Sequence, residues 1–273
     1  MPAPDAITAD KLSRLIGTAR APVILDVRSD EDFAADPRLL PGAIRADDSA
    51  LADLPPLPAS PIIAVCQAGH HRSQGAAAWL RAEGRSAEYL EGGFADWREI
   101  GFPLISLGAL PPRDPQGRTV WVTRARPKID RIACPWLIRR FVDPRAVILF
   151  VSPSEVEGVA DRYNAAPFDI EGAFFSHRGE LCSFDIMLAE FGLSLPALDR
   201  LATIVRGADT ARLDLAPEAA GLLAVSLGLS RIHADDMEQL EAGMLVYDAF
   251  YRWARDATGE THNWPSAKAG VTP

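Results

Sequence analysis

Pro61-Ile62-Ile63-Ala64-Val65-Cys66-Gln67-Ala68-Gly69-His70-His71-Arg72-Ser73-Gln74 passes from an apolar run into a loop of small and polar residues. Ala76-Ala77-Ala78-Trp79-Leu80 then reads as a packed helix. The apolar run predicts a buried strand, so Cys66 stands at a strand end, at the start of a loop that closes into a helix. Loop amides and a helix N-terminus there point at the sulfur and at any anion beside it. Five residues separate Cys66 from Arg72, enough to wrap one oxyanion and bring a guanidinium to its edge. The expected roles are Cys66 as nucleophile and Arg72 as electrostatic clamp, with Gln67, Ala68, Gly69, His70, His71 and Ser73 as the anion-binding loop.

Working outward, Val23-Ile24-Leu25-Asp26-Val27 predicts a second buried strand ending in Arg28. Before it, Thr8 or Asp10 caps a helix with Leu12, Leu15 and Ile16 on its apolar face. After it, Ser29-Asp30-Glu31-Asp32-Phe33 reads as a short capped helix, and Leu40-Pro41-Gly42-Ala43-Ile44 as a turn entering an extended segment. Ala87-Glu88-Tyr89-Leu90 predicts a strand, Glu91-Gly92-Gly93 a turn, and residues 94–100 a helix ended by Gly101. Strands alternating with helices imply an α/β domain, a mostly parallel sheet covered on both faces.

Between Leu107 and Arg118 three prolines and two glycines leave little to bury. The expected organisation is a first domain over 1–107, a linker over 108–118 and a second domain over 119–273. In the second, residues 120–122 and 146–151 read as strands. Phe174 to Ser183 reads as a hairpin turning at Arg178-Gly179. The stretches 184–191, 196–205, 217–227 and 234–254 read as helices, with fraying after Gly259. This half is expected to be mainly helical α+β.

The chain has 273 residues, 48% hydrophobic and 24% charged, with a formal net charge of −9. That is a globular composition, and its acidity argues against nucleic acid as a partner. The start, Met1-Pro2-Ala3-Pro4-Asp5-Ala6, lacks a basic segment followed by an apolar one, and no apolar run reaches the ~20 residues of a membrane span. Three cysteines, Cys66, Cys134 and Cys182, are too few and too far apart for a disulfide framework. The expectation is a reduced cytoplasmic protein without a membrane partner.

Two clusters mark the second half. Arg124 to Phe141 is a basic-apolar run in which Arg126, Lys128 and Arg131 suit an oxyanion. Pro135 suits the first turn of a helix, which would place Cys134 at the N-cap as a second reactive thiol. The other cluster is His177, Cys182 and Asp185, with Asp209 and Asp236 further on. His177, Asp209 and Asp236 would suit a divalent metal, although no local spacing signature joins them.

The first half resembles the rhodanese superfamily. The matching pieces are Ile24-Leu25-Asp26-Val27-Arg28, Leu40-Pro41-Gly42-Ala43-Ile44, the Cys66 loop and Tyr89-Leu90-Glu91-Gly92-Gly93-Phe94-Ala95-Asp96-Trp97, in the family order over roughly residues 8 to 105. The resemblance implies a parallel-sheet domain whose cysteine carries sulfane sulfur as a persulfide, taken from a small sulfur donor, passed to an acceptor thiol and requiring no cofactor. It also implies that Asp26 and Arg28 support the fold. Typical sulfurtransferase members place the basic residue one position closer to the cysteine. The longer Cys66-x5-Arg72-Ser73 loop also fits rhodanese-fold phosphatases and arsenate reductases, so oxyanion reduction or phosphatase chemistry stays open.

The second half, from about Val120 to Trp264, resembles the C-terminal domain of ChrB-type chromate-resistance proteins. The match runs through Ile129 to Phe141, Phe175-Ser176-His177, Cys182-Ser183-Phe184-Asp185 and Ile204 to Thr210. It implies a connection with chromate or oxyanion stress. A non-catalytic chromate sensor is a third reading.

Overall fold

The computed structural model describes residues 5–53 and 60–261. The fraying expected after Gly259 falls largely on residues 262–273, outside the described residues.

The first half contains β1 (Ala6–Ile7), α1 (Ala9–Leu15), β2 (Val23–Asp26), α2 (Asp30–Ala35), β3 (Arg38–Leu39), β4 (Ala43–Arg45), β5 (Ile62–Val65), α3 (His71–Ala82), β6 (Ala87–Leu90), α4 (Gly93–Ile100) and β7 (Ile105–Ser106). Five strands form a parallel sheet in the order β1-β6-β5-β2-β4, and β3 pairs antiparallel with β7. Thr8 and Ser29 accept bonds from first-turn amides of α1 and α2, satisfying donors that the helices cannot.

Side-chain alternation splits this sheet between two cores. Ile63 and Val65 of β5 join one cluster, while Ile62, Ala64 and Cys66 join the other, with Ala76, Ala77 and Leu80 of α3. Successive residues of a strand face opposite sides, so a strand buried on both is apolar throughout.

The second half contains β8 (Val120–Arg124), α5 (Asp130–Leu137), a π-turn at Ile138–Val142, β9 (Val147–Val151), α6 (Val156–Tyr163), β10 (Ala166–Pro167), α7 (Ser183–Phe191), α8 (Pro196–Asp209), α9 (Ala219–Ile232) and α10 (Asp236–Asp256). Its sheet is parallel, in the order β10-β8-β9. The alternation recurs: Trp121 faces the large core, and Val120 and Val122 face a small cluster with Val156 of α6. The expected 174–183 hairpin is reduced to a single antiparallel bridge between Arg178 and Leu181.

One hydrophobic core spans both halves, from Leu12 and Ile16 through Phe94 and Trp97 to Trp136, Phe141 and Tyr251. The backbone amide of Gly42 donates to the Phe141 carbonyl at 2.7 Å. A Cβ added at Gly17 would sit 2.2 Å from the Phe141 ring, so that approach requires glycine. The segment between the halves is folded: Asp114 accepts the amides of Gln116 and Arg118, closing a turn beside an Arg113–Thr119 bridge.

The structure corrects the reading of Cys134. α5 begins at Asp130, so Cys134 lies inside the helix and Pro135 follows it there. The helix starts earlier because tertiary contacts hold its entry. Ile129 has φ +35°, a costly conformation for a β-branched residue, fixed by the Ser226 hydroxyl accepting its amide and the Tyr247 hydroxyl donating to its carbonyl.

Candidate functional site

Cys66 follows β5 and is 4% exposed. Its Sγ lies 3.1 Å from the buried Ser73 Oγ, which also contacts the His70 carbonyl at 3.3 Å. Gly69 and the Gly92-Gly93 turn pack back to back. A Cβ on Gly93, at φ +63°, would lie 2.3 Å from the Cys66 carbonyl and 2.5 Å from the Gly69 amide nitrogen. The amides of Phe94 and Ala95, opening α4, donate to the carbonyls of Cys66 and Gln67 at 2.9 Å each. The carbonyls of the first loop residues are thereby tied down. Among the described residues, no acceptor takes the amides of Gln67 to Ser73. Such unspent donors at a helix N-terminus suit an anion.

His70 and His71 are exposed. Arg72 is half-buried, and its Nε donates to the Val27 carbonyl at 3.1 Å while Nη2 pairs with Asp48 at 2.5 Å. Its guanidinium is thus committed to the end of β2 and to Asp48.

Asp26 and Arg28 form a pair with 1% and 0% exposed side chains. Arg28 reaches Asp26 at 2.6 Å and the carbonyls of Asp36 and Arg38, and it covers the Phe94 ring at 3.7 Å. This pair welds β2 to α4 and to the chain entering β3, a supporting role one step behind the Cys66 loop.

The second half gathers a different site. His177 Nε2 lies 3.1 Å from Asp209 Oδ2, 3.4 Å from Asp169 Oδ1 and 3.7 Å from Asp130 Oδ2. Asp209 ends α8, Asp130 opens α5, and Asp169 follows β10 at φ +51°. Asp130 Oδ2 accepts the amides of Ser183 and Phe184, the first two residues of α7. Asp169 accepts from the Ser183 hydroxyl and pairs with Arg124 and Arg131.

Charge explains the proton affinities. Burial, then the neighbouring Asp209 and Asp169 charges, raise Asp130 well above the usual carboxylate range. Burial and Asp169 raise Asp209 too. Burial also opposes charge on Asp169, but bonds from His177 and Ser183 outweigh it and hold this carboxyl low. The hydrogen bond to Asp169 and the Asp130 and Asp209 charges raise His177 to about 9, against the effect of its partial burial.

Sequence reasoning brought together His177 and Asp209 but missed Asp130 and Asp169. Asp236 is elsewhere: both its oxygens lie 3.1 Å from the Arg126 amide. Nor do Arg126, Lys128 and Arg131 face one pocket. Arg126 binds the carbonyls of Ser230, His233 and Ala234 at the end of α9, and Lys128 lines a cleft beside it. Arg131 turns to Asp169. Cys134 and Cys182 are wholly buried, and burial together with the Asp130 charge pushes both thiols up, which removes the basis for Cys134 as an activated second thiol.

No helix among the described residues is long and apolar enough to cross a membrane. Residues 8–100 match the family described as Rhodanese-like domain, and residues 121–254 match ChrB, C-terminal domain. Protein ChrB of Cupriavidus metallidurans is 41% identical over 156 residues, covering 55% of this chain and 46% of that protein. The chain thus spans about half the length of this curated relative. Among solved structures, a rhodanese-like domain protein from Staphylococcus aureus is 29% identical, covering 34% of this chain and 90% of that one at a TM-score of 0.31. A rhodanese-related protein from Thermoplasma volcanium is 23% identical, covering 37% and 96% at a TM-score of 0.32. The chain therefore joins a rhodanese-like domain at 8–100 to a ChrB C-terminal domain at 121–254.

Proposed function

We propose that this protein is a sulfurtransferase that stores sulfane sulfur as a persulfide on Cys66 and is linked through its second domain to chromate or oxyanion stress in the cytoplasm. The observation that carries the reading is the Cys66 thiol beside the Ser73 hydroxyl, inside a loop whose seven amides from Gln67 to Ser73 have no described acceptor. The Cys66 thiolate attacks the outer sulfur of a donor such as thiosulfate. A new S–S bond forms on Cys66, and sulfite leaves with the electron pair of the broken bond. An acceptor thiolate then attacks the outer persulfide sulfur and takes it, returning the Cys66 thiolate. The loop amides hold the anionic donor, and Ser73 turns its hydroxyl proton to the sulfur. Arg72 serves as clamp once the incoming anion replaces Asp48 as its partner.

The loop's length also fits a tetrahedral oxyanion, and one comparison separates the two chemistries. The full-length protein is supplied with thiosulfate and a dithiol acceptor, and in parallel with an aryl phosphate or with arsenate or chromate plus thiol. Sulfide release without turnover of the oxyanions is the expected result. Oxyanion turnover without sulfide release would overturn it in favour of reductase or phosphatase chemistry. No turnover of either kind would overturn it in favour of a sensor.

A further inference from the structure

We propose that Asp130, His177 and Asp209 form a binding site for a divalent cation of the Zn2+ or Mn2+ class, on the second domain and independent of the chemistry at Cys66. One ligand atom from each residue can be chosen so that all lie within 4.8 Å of one another. The Nε2 of His177 stands 3.1 Å from Asp209 and 3.7 Å from Asp130. The His177–Asp209 separation is close to the edge of about 3.3 Å of a tetrahedron built on ligand bonds of roughly 2.0–2.1 Å, and the 3.7 Å to Asp130 is measured to Oδ2, the oxygen that two amides hold. The three residues come from the end of α8, the start of α5 and the turn before α7, so a bound ion would tie together three elements far apart in sequence.

A separate observation points to a ligand. Asp130 has no exposed surface, and its Oδ1 has no hydrogen-bond partner among the described residues. Burying a carboxylate oxygen without a partner is costly, and coordinating a cation removes that cost. The other oxygen, Oδ2, is held by two amides at the N-terminus of α7, so the carboxylate is fixed in place.

Once the ion displaces their protons, two carboxylates and a neutral imidazole balance a divalent charge, and this mixed oxygen and nitrogen set suits Zn2+ and Mn2+. Asp169 belongs to the surroundings. Arg124 and Arg131 neutralise it, and Ser183 orients it beside the imidazole. The His177 side chain is 39% exposed and that of Asp209 18%, which gives the ion a path in and leaves a coordination position for water or an anion.

The test uses metal-stripped full-length protein titrated with Mn2+, with free ion counted by its electron paramagnetic resonance signal. Mn2+ prefers oxygen and imidazole to thiolate, which keeps it off Cys66. One Mn2+ per chain is expected, displaced by Zn2+. Asp209→Asn and His177→Gln should each weaken binding by at least about tenfold, while Cys66→Ser leaves it unchanged. Both weakened variants alter side chains that reach the surface, and circular dichroism checks that they fold. Absence of stoichiometric Mn2+ and Zn2+ binding, or equal binding by folded Asp209→Asn and His177→Gln, would overturn the site and leave the cluster as an imidazolium–carboxylate network.

Discussion

Cys66→Ser is expected to reduce thiosulfate turnover to background, whereas Cys134→Ser and Cys182→Ser should keep it. A serine hydroxyl in the same cradle lacks a nucleophilic sulfur and cannot carry a persulfide. Of the three thiols, Cys66 alone adjoins a loop of unspent amides and a nearby hydroxyl. Cys134 lies in the large core together with Trp136 and Phe184, and the Cys182 backbone amide at the start of α7 donates to the Asp185 carboxylate. Both are shut from solvent and have raised proton affinity, so neither offers a thiolate. Steady-state sulfide release on the three variants reads this directly. Sustained turnover by Cys66→Ser would place the chemistry elsewhere.

Arg28→Ala is expected to destabilise the fold by about 3–5 kcal/mol, because it removes the 2.6 Å partner of buried Asp26 and leaves it only Arg45, 3.4 Å away, as a cation. The pair is wholly buried, so solvent screening does not discount it. The same change removes the donors to the carbonyls of Asp36 and Arg38 and the guanidinium lying over Phe94. Replacing both partners, Asp26→Leu with Arg28→Met, should recover much of the loss because no charge is then stranded. By contrast, Arg38→Ala breaks a pair whose arginine is 44% exposed and should cost under about 1 kcal/mol. Denaturant midpoints with unchanged slopes measure all three. A loss below about 1 kcal/mol for Arg28→Ala would contradict the structural role given to this pair.

The cradle was legible because its parts are close in sequence. The apolar run 62–65, the small-residue loop and the alanine-rich helix fall in one stretch, and the Gly92-Gly93 turn shows what it is for only when its glycines meet the loop backbone. What sequence did not show was the direction of Arg72. Spacing puts a guanidinium at the loop's edge, but Asp48 and the Val27 carbonyl, contributed by other segments, decide where it points.

The second site was legible only in part because its members lie at 130, 169, 177 and 209 with no local period. Asp130 stood in a basic run as an ordinary polar residue; it is instead the fully buried member of the cluster, deeper than Asp169. Asp236 looked equivalent to Asp209, but at the start of α10 it receives the Arg126 amide. The Cys134-Pro135 pair misled for a related reason. Proline normally marks a first turn, yet Ser226 and Tyr247, nearly a hundred residues or more away, hold an entry that starts α5 earlier.

The most direct test of the account is intact mass after incubation with thiosulfate and removal of excess donor. The wild-type chain should gain the mass of one sulfur atom, lost again on adding a thiol, with the adduct on the peptide that contains Cys66. A chain that gains no sulfur, or carries it on a peptide without Cys66, would contradict the account.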